Sequence, residues 1–408
     1  MLTTSVIGLG YVGLPTAAII ASRGMQVIGV DISEHAVNTI NEGKIHIIEP
    51  ELDMLVHAAV NMGHLRATTV AEAADVYMMA VPTPFKGEHE PDLSYVEAAT
   101  RSIAKHLKSG DLIILESTSP VGTTEKMARW LKEMRPELAF AGECENPDVF
   151  LAHCPERILP GHVVHELVEN DRIVGGLCAE STRRASEHYK KFVNGKCLET
   201  NAKAAELAKL VENSFRDVNI AFANELSVIC DKWGINVWEV IKLANYHPRV
   251  NILNPGAGVG GHCIAVDPWF IVDGAPEEAR LIRQARLTND AKPYYVADQI
   301  RTKAPKGGKI ALLGLAYKPD IDDLRESPAV EVVKALSGEG YDLMAVEPNV
   351  SELPQALAVK TDVRLVNAEE AMENADVIAV LVPHAVFKEM NIEASEKQGV
   401  VDPVNLLS

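Results

Sequence analysis

Short apolar runs alternate with longer amphipathic stretches along the chain. The opening "TTSVIGLGYVGLPTAAIIASRGMQVIGVDISE" predicts a strand from Ser5 to Ile7, a glycine turn, a small-residue helix closed by Gly24, and a strand from Gln26 to Val30 ending at Asp31. "AADVYMMAVPTP" reads as a buried strand ending at Val81, and "GDLIILESTSPVGTTEKMARWL" as strand, Ser/Thr-rich loop and helix. Strands alternating with helices predict a parallel sheet. The rhythm then repeats in the same order: "GKIALLGLAYK", "YDLMAVEPN" and "ENADVIAVLVPHA" parallel "TTSVIGLGYVG", "MQVIGVDIS" and "EAADVYMMAVPTP". Between the repeats, Leu207, Leu210, Val211, Phe215, Val218, Phe222, Leu226 and Ile229 fall at three- and four-residue steps. That spacing predicts one helix of about 30 residues, roughly 45 Å long, serving as a connecting spine and dimer surface. The predicted class is α/β, with two Rossmann-like doubly wound domains joined by a long central helix and a helical middle domain. The expected segments are 1–200 for the first domain, 201–300 for the helical middle and 301–408 for the second.

The first turn carries a dinucleotide fingerprint in its proper context of strand, turn, helix and terminal acid. Gly8 permits the tight turn, Gly10 lets a pyrophosphate approach the backbone, and Gly13 lets helix and strand pack closely. Asp31 either bonds ribose hydroxyls, which favours NAD over NADP, or serves as a helix N-cap. Ligands of such sheets lie beyond the carboxyl ends of the strands. Thr83, Thr118 and Ser119 therefore either sit near a nicotinamide or are turn residues only. In the second repeat Gly314 matches Gly8, but Ala316 replaces Gly10 and Pro319 replaces Gly13. A different ligand, or none, belongs there.

Composition narrows the classes. The chain has 408 residues, 47% apolar and 24% charged, with a formal net charge of −18. An acidic chain repels a phosphate polymer, so nucleic acid is not an expected partner. Small anions still bind at helix N-termini or placed Arg and Lys. The six cysteines include no CxxC pair, so no metal site is expected and reduced thiols in the cytoplasm are. The start has no signal-peptide pattern and no apolar run reaches about 18 residues, so no membrane association is expected. "GAGVGGHCIAVDPWF" sets Cys263 between His262 and, four residues on, Asp267. Locally, Cys263 is either core filling or a nucleophile. A thiol beside a nicotinamide permits a four-electron oxidation of a primary alcohol through a thiohemiacetal and a thioester. Lys209 and Asn213 lie on one helix face, where a solvated stripe is the plainer reading.

With "GLGYVGLP", "VPTP", "ESTSPVGTT", "CPERILPG", "AELAKLVENSFRDVNIAFANEL", "GVGGHCIAVDP" and "GLAYKPDIDDLRESPA", nearly the whole chain resembles the nucleotide-sugar 6-dehydrogenases. This group includes the UDP-glucose, GDP-mannose and UDP-N-acetylmannosamine dehydrogenases. "NYHPRVNI", "VDPWF", "NDRIVGG" and His262 resemble the UDP-N-acetyl-D-mannosamine branch. The UDP-glucose branch usually has Ser before the Cys and Lys before the Asp, where this chain has His262 and Val266.

The resemblance implies NAD as cofactor, a UDP-sugar bound by the second Rossmann-like domain, and a homodimer whose uronic acid product feeds bacterial surface polysaccharide. It implies Cys263 as nucleophile, with Lys209 and Asn213 stabilising the oxyanion. Asp267 with Thr118 would order water, and Glu156 would assist thioester hydrolysis. Gly8, Gly10, Tyr11, Val12, Gly13, Asp31, Pro82, Thr83, Ser117, Thr118 and Arg325 are implied at the cofactor. Glu156, Arg157, Leu159, Lys209, Asn213, Arg216, His247, Arg249, Gly256, Gly260, His262, Tyr317 and Lys318 are implied at the substrate, with Arg249 reaching in from the neighbouring subunit. The loop glycines then read as room for the sugar. Two features depart from the pattern. Without a Lys at 266, Asp267 sits in a different charge setting, and the ending "VVDPVNLLS" is less extended than the branch's. His384 either faces the nucleotide or is a satisfied loop histidine. The competing readings are another UDP-hexose such as UDP-N-acetylglucosamine, a two-electron hydroxyacid dehydrogenase, and a non-enzymatic NAD-sensing module.

Overall fold

The computed structural model describes residues 2–87, 89–158, 161–390 and 398–407. The chain forms two compact units, Met1–Val211 and Glu212–Ser408. In the first, the strands are β1 (Thr3–Ile7), β2 (Gln26–Val30), β3 (Leu65–Thr68), β4 (Val76–Met79), the hairpin β5 (Phe85–Lys86) and β6 (Glu90–Pro91), then β7 (Leu112–Leu115), β8 (Phe150–His153), β9 (Arg172–Gly176) and β10 (Cys197–Asn201). The main sheet has the order β10-β9-β8-β7-β4-β1-β2-β3. Both faces are covered. Val6, Met78 and Ile114 enter one apolar cluster, and Ile7, Tyr77, Met79, Ile113 and Leu115 enter the other. Burial on both sides explains why these strands are almost wholly apolar.

The sheet differs from expectation at two points. β9 runs antiparallel to β8, with β10 parallel to β9. The seven-residue helix Val163–Glu169 joins β8 to β9, and the chain enters β9 from the opposite end of the sheet. β4 stops at Met79 rather than Val81, because the Ala80 carbonyl crosses the glycine turn: a Cβ on Gly8 would lie 2.5 Å from Ala80 O.

The helix Ala202–Trp233, 32 residues long, begins in the first unit and ends in the second. The second unit adds the helices Val237–Ala244, Asp267–Gly274 and Arg280–Lys303. Its strands are β11 (Lys309–Leu313), β12 (Asp342–Val346), β13 (Val363–Leu365), β14 (Val377–Val380) and β15 (Gly399–Val401). They form a parallel sheet in the order β13-β12-β11-β14-β15. Its first three pairings reproduce those around β1, so the sequence repeat is a structural one.

The spine helix buries an unexpected face. Leu207, Val211, Phe215 and Phe222 are exposed, while Ser214, Asp217, Asn224 and Ser227 are buried. This inner stripe meets the helix Arg280–Lys303 through a polar ladder. Arg286 donates to Asp217 at 2.6 Å, Asn289 Nδ2 to Asp217 Oδ1 at 2.8 Å, Asn224 Nδ2 to Asn289 Oδ1 at 2.9 Å, and Lys292 to Ser227 at 2.6 Å. Among the described residues no helix is long and apolar enough to cross a membrane, and no cluster of three or more His, Cys, Asp or Glu is arranged to hold a metal.

Candidate active site

The carboxyl ends of β2, β1, β4, β7 and β8 lie side by side, and each is followed by predicted site residues. Gly8, at φ +89°, turns the chain, and its N–H donates to Val30 O at 2.8 Å. A Cβ on Gly13 would lie 1.8 Å from Gly8 O, so only glycine lets the helix Gly13–Ser22 start there. A Cβ on Gly10 would meet no atom within 4 Å. The turn is thus closed on the protein side and open on the ligand side, which fits the pyrophosphate of a dinucleotide at the positive end of the helix. Tyr11 is exposed and Val12 half-buried beside it. Asp31 accepts from Leu9 N–H at 2.8 Å and Ser33 N–H at 2.9 Å. It is not the helix N-cap, because Ser33 caps Glu34–Asn41 by accepting from Ala36 N–H.

Pro82 and Thr83 follow β4, and Ser117 and Thr118 follow β7. Thr83 Oγ1 donates to Thr118 O at 2.6 Å and Ser117 Oγ to Met79 O at 3.3 Å, which ties the two loops together. Ser119 is turn chemistry, its Oγ donating to Ser117 O. The loop is also anchored by a residue that sequence reasoning missed. Buried Glu206 accepts from Gly122 N–H, Thr124 N–H and Thr124 Oγ1 at 2.6, 2.8 and 2.7 Å. Lys209, half-buried, lies almost one turn further along the spine. An acid within an apolar helical run was the available signal.

Glu156 and Arg157 follow β8; Leu159 lies outside the described residues. Glu156 is 7% exposed and both its oxygens are engaged: Oε2 by Arg172 at 2.5 Å and Oε1 by Arg157 N–H at 2.6 Å. Beside it, Glu116 accepts from Tyr189 Oη at 2.7 Å. Burial, and then the Glu156 charge, push Glu116 up to about 8. One guanidinium therefore serves two acids, and one of these keeps its proton at neutral pH.

In the second unit the glycine loop leads into the helix Asp267–Gly274. Gly256 N–H donates to Asn224 Oδ1 at 2.9 Å, so the polar ladder fixes the start of the loop. Cys263 is exposed, and its carbonyl accepts from Val266 and Asp267 N–H at 3.0 and 2.8 Å. Asp267 is buried and accepts from Asn213 Nδ2 at 2.5 Å. Asn213, Asp267 and Cys263 thus belong to one constellation. The glycines do not make room for a sugar, with Gly256 the exception. A Cβ on Gly260 would sit 2.5 Å from Glu326 O and 2.7 Å from Tyr317 Cβ, and one on Gly261 would sit 2.8 Å from the Tyr317 ring. On Gly258 it would meet Pro328 Cβ at 2.8 Å. These glycines admit the segment 317–328 of the same unit.

That segment holds the other predicted residues. Arg325 forks onto Asp323, Nε to Oδ1 at 2.9 Å and Nη2 to Oδ2 at 2.6 Å. Burial opposes the Asp323 charge, but these bonds overcome it and hold the carboxyl below its usual value. His262 Nδ1 lies 3.8 Å from Asp323 Oδ2. Partial burial, and then the Arg325 charge, hold the imidazole below its ordinary pKa. Tyr317 is half-buried and Lys318 exposed. Arg216, His247 and Arg249 lie exposed on this unit, and the Arg249 N–H donates to His247 Nδ1 at 3.3 Å.

The second turn copies the first and then closes it. Gly314 has φ +90° and donates to Val346 O at 2.8 Å, matching Gly8. Glu347, in the place of Asp31, accepts from both Leu315 N–H at 2.7 Å and Ala316 N–H at 2.9 Å. The amides that would cradle a phosphate already hold a carboxylate. His384 Nδ1 accepts from Asp320 N–H at 2.9 Å, so Nε2 carries the proton toward Glu347 Oε2 at 3.1 Å. His384 is a satisfied internal histidine.

Known proteins resemble the chain over nearly its whole length. Domain models of the UDP-glucose/GDP-mannose dehydrogenase family match in order: the NAD binding domain at 2–193, the central domain at 203–291 and the UDP binding domain at 311–408. The chain is 60% identical over 390 residues to the UDP-N-acetyl-D-mannosamine dehydrogenase of Campylobacter jejuni, covering 94% of this chain and 96% of that protein. It is 57% identical over 404 residues to the NDP-N-acetyl-D-galactosaminuronic acid dehydrogenase of Ralstonia nicotianae, covering 98% and 95%. The structure of a UDP-D-ManNAc dehydrogenase from Pyrococcus horikoshii superposes with a TM-score of 0.88 at 39% identity, covering 100% and 96%.

Proposed function

We propose, for a chain that belongs to the UDP-glucose/GDP-mannose dehydrogenase family, that it oxidises C6 of UDP-N-acetyl-D-mannosamine from hydroxymethyl to carboxylate, with NAD as cofactor. The observation that carries this reading is the constellation around Cys263: an exposed thiol one turn ahead of a buried Asp267 that is bonded to Asn213. The relative from Campylobacter jejuni supports the choice of sugar.

Bound NAD supplies the hydride acceptor for both oxidations. In this reading Asp267 and Thr118 order a water that takes the C6 hydroxyl proton as the first hydride leaves. The Cys263 thiolate adds to the resulting aldehyde, forming a C–S bond. Lys209 and Asn213 stabilise the oxyanion of this thiohemiacetal. Loss of a second hydride leaves a thioester on Cys263. Water guided by Glu156 attacks it, the C–S bond breaks, and the thiolate and a carboxylate are released. The balance is one water consumed, two hydrides transferred and three protons released.

Segment 1–200 binds NAD, with Gly8, Gly10, Tyr11, Val12, Gly13, Asp31, Pro82, Thr83 and Ser117 at the cofactor. Segment 201–300 carries the spine, and segment 301–408 holds the UDP group. Arg157, Gly256, His262, Tyr317 and Lys318 line the sugar, with Arg325 near the cofactor. Arg216, His247 and Arg249 complete the site, Arg249 from a second copy of the chain, and the dimer works in the cytoplasm. One observation favours a second reading, an N-acetylgalactosamine nucleotide as substrate: the 57% identity to the Ralstonia nicotianae protein.

The test is a rate comparison of the UDP derivatives of N-acetylmannosamine, N-acetylglucosamine, N-acetylgalactosamine and glucose, with NADH counted. The expected result is the highest kcat/KM for the first and two NADH per sugar. One NADH per sugar would falsify the covalent route. Cys263→Ser should abolish release of the acid while NAD still binds; full turnover by that variant would remove Cys263 from its role.

A further inference from the structure

The second unit contains a cavity of about 470 Å³ that shares no residue with the Cys263 loop. Lys292 forms part of its wall and is 4% exposed. Its Nζ donates to Ser227 Oγ at 2.6 Å and lies 4.9 Å from the Tyr295 ring centre. Among the described residues, no carboxylate lies within ion-pair distance of it. Burial pushes this amine down to about 8, against the favourable but more distant charge of Asp231.

The carboxylates of the wall have their partners. Asp231 Oδ2 accepts from Tyr295 Oη and Gln299 Nε2, both at 2.8 Å, and Asp402 accepts from the Val404 and Leu407 N–H groups at 3.3 and 2.7 Å. The second cation, Lys303, donates to the Val400 carbonyl. The ammonium groups thus have only neutral acceptors, while the carboxylates are satisfied by neutral donors. A buried ammonium with no carboxylate in contact is costly, and an oxyanion seated directly on Lys292 Nζ would relieve that cost. Trp238 and Pro255 add apolar surface, and the volume is that of a small-metabolite pocket.

We propose that this cavity binds a small organic anion, an apolar body bearing one carboxylate or phosphate, with the oxyanion on Lys292 Nζ and the body against Trp238 and Pro255. This inference does not depend on which sugar the enzyme oxidises.

The test is calorimetric titration of the full chain at pH 7 with NAD and UDP present to fill the reaction site. Benzoate and phenyl phosphate are the probes, and benzamide is the uncharged control. At least one anion should bind saturably at one per chain, at least tenfold more weakly in Lys292→Met, and benzamide should not bind. Tighter benzoate assigns a carboxylate ligand; tighter phenyl phosphate assigns a phosphate. Thr302→Trp, at an exposed lining position, should block binding without changing turnover, and it serves if Lys292→Met does not fold. The proposal is overturned if neither anion binds, if benzamide binds equally, or if the folded variants bind as the parent does.

Discussion

Glu116 is ionised in the unfolded chain at neutral pH and protonated in the folded one, because burial and the Glu156 charge raise it from 4.5 to about 8. The stability it allows is complete below about pH 4.5 and is lost as the pH rises through 8. Glu116→Gln keeps an acceptor for Tyr189 and removes the titration. Its Tm should match the parent's near pH 4.5 and exceed it increasingly up to pH 8–9; a constant offset across that range would place the proton elsewhere. The loop glycines make a second prediction. Gly260→Ala meets backbone and should cost about 1–3 kcal/mol of stability, whereas Gly256→Ala meets nothing within 4 Å and should cost little. Equal losses in urea unfolding would contradict the close-packing role. Gly8 and Gly13 were legible in the sequence because a positive φ at one and a close backbone approach at the other need glycine, and Gly10 because its open side suits a ligand. The Glu116–Glu156–Arg172 group was not, since buried charges on neighbouring strands that lie far apart in sequence leave no periodic trace.

The two glycine turns show how one element serves opposite ends. In the first, the acid after β2 takes one amide of the glycine turn, that of Leu9, and leaves the space over Gly10 open; in the second, Glu347 takes two amides of the turn, those of Leu315 and Ala316. Restoring glycine by Ala316→Gly should therefore not create a second dinucleotide site, and equilibrium dialysis should still find one NAD per chain. Two per chain would mean that the Ala316 side chain, not Glu347, excludes the ligand. The sequence pointed to a lost dinucleotide site through Ala316 and Pro319. It did not identify Glu347 as the occupant, because an acid after a strand reads the same in both repeats. The spine was legible as a helix from its three- and four-residue steps, but four of those positions, Leu207, Val211, Phe215 and Phe222, lie on its outer face. Its inner face mixes small apolar residues such as Ala221 and Ala223 with the polar Ser214, Asp217, Asn224 and Ser227, so its polar members break the hydrophobic signal.

For the whole molecule, that outer face matters most. Phe215 and Phe222 are 71% and 56% exposed on one side of a 32-residue helix, an apolar surface that a soluble chain normally covers. The dimer proposed above predicts that Phe215→Glu with Phe222→Glu shifts the sedimenting species toward the monomer. An unchanged mass would locate the contact elsewhere. The doubled Rossmann plan was readable because its order of elements repeats, whereas the reversal of β9 was not, since strand direction has no signature in composition. The polar ladder between the spine and the helix Arg280–Lys303 acts on the same scale. Two greasy helices tolerate sliding past each other, because one methyl group replaces another at little cost. Asp217, Asn224 and Ser227 each have a named mate on the other helix, so a slip of one turn would set Arg286 against Ala221 and strand a buried carboxylate. The pair works like a key with cut teeth: it has one seated position, and the thread from Asn224 to Gly256 hands that position on to the thiol.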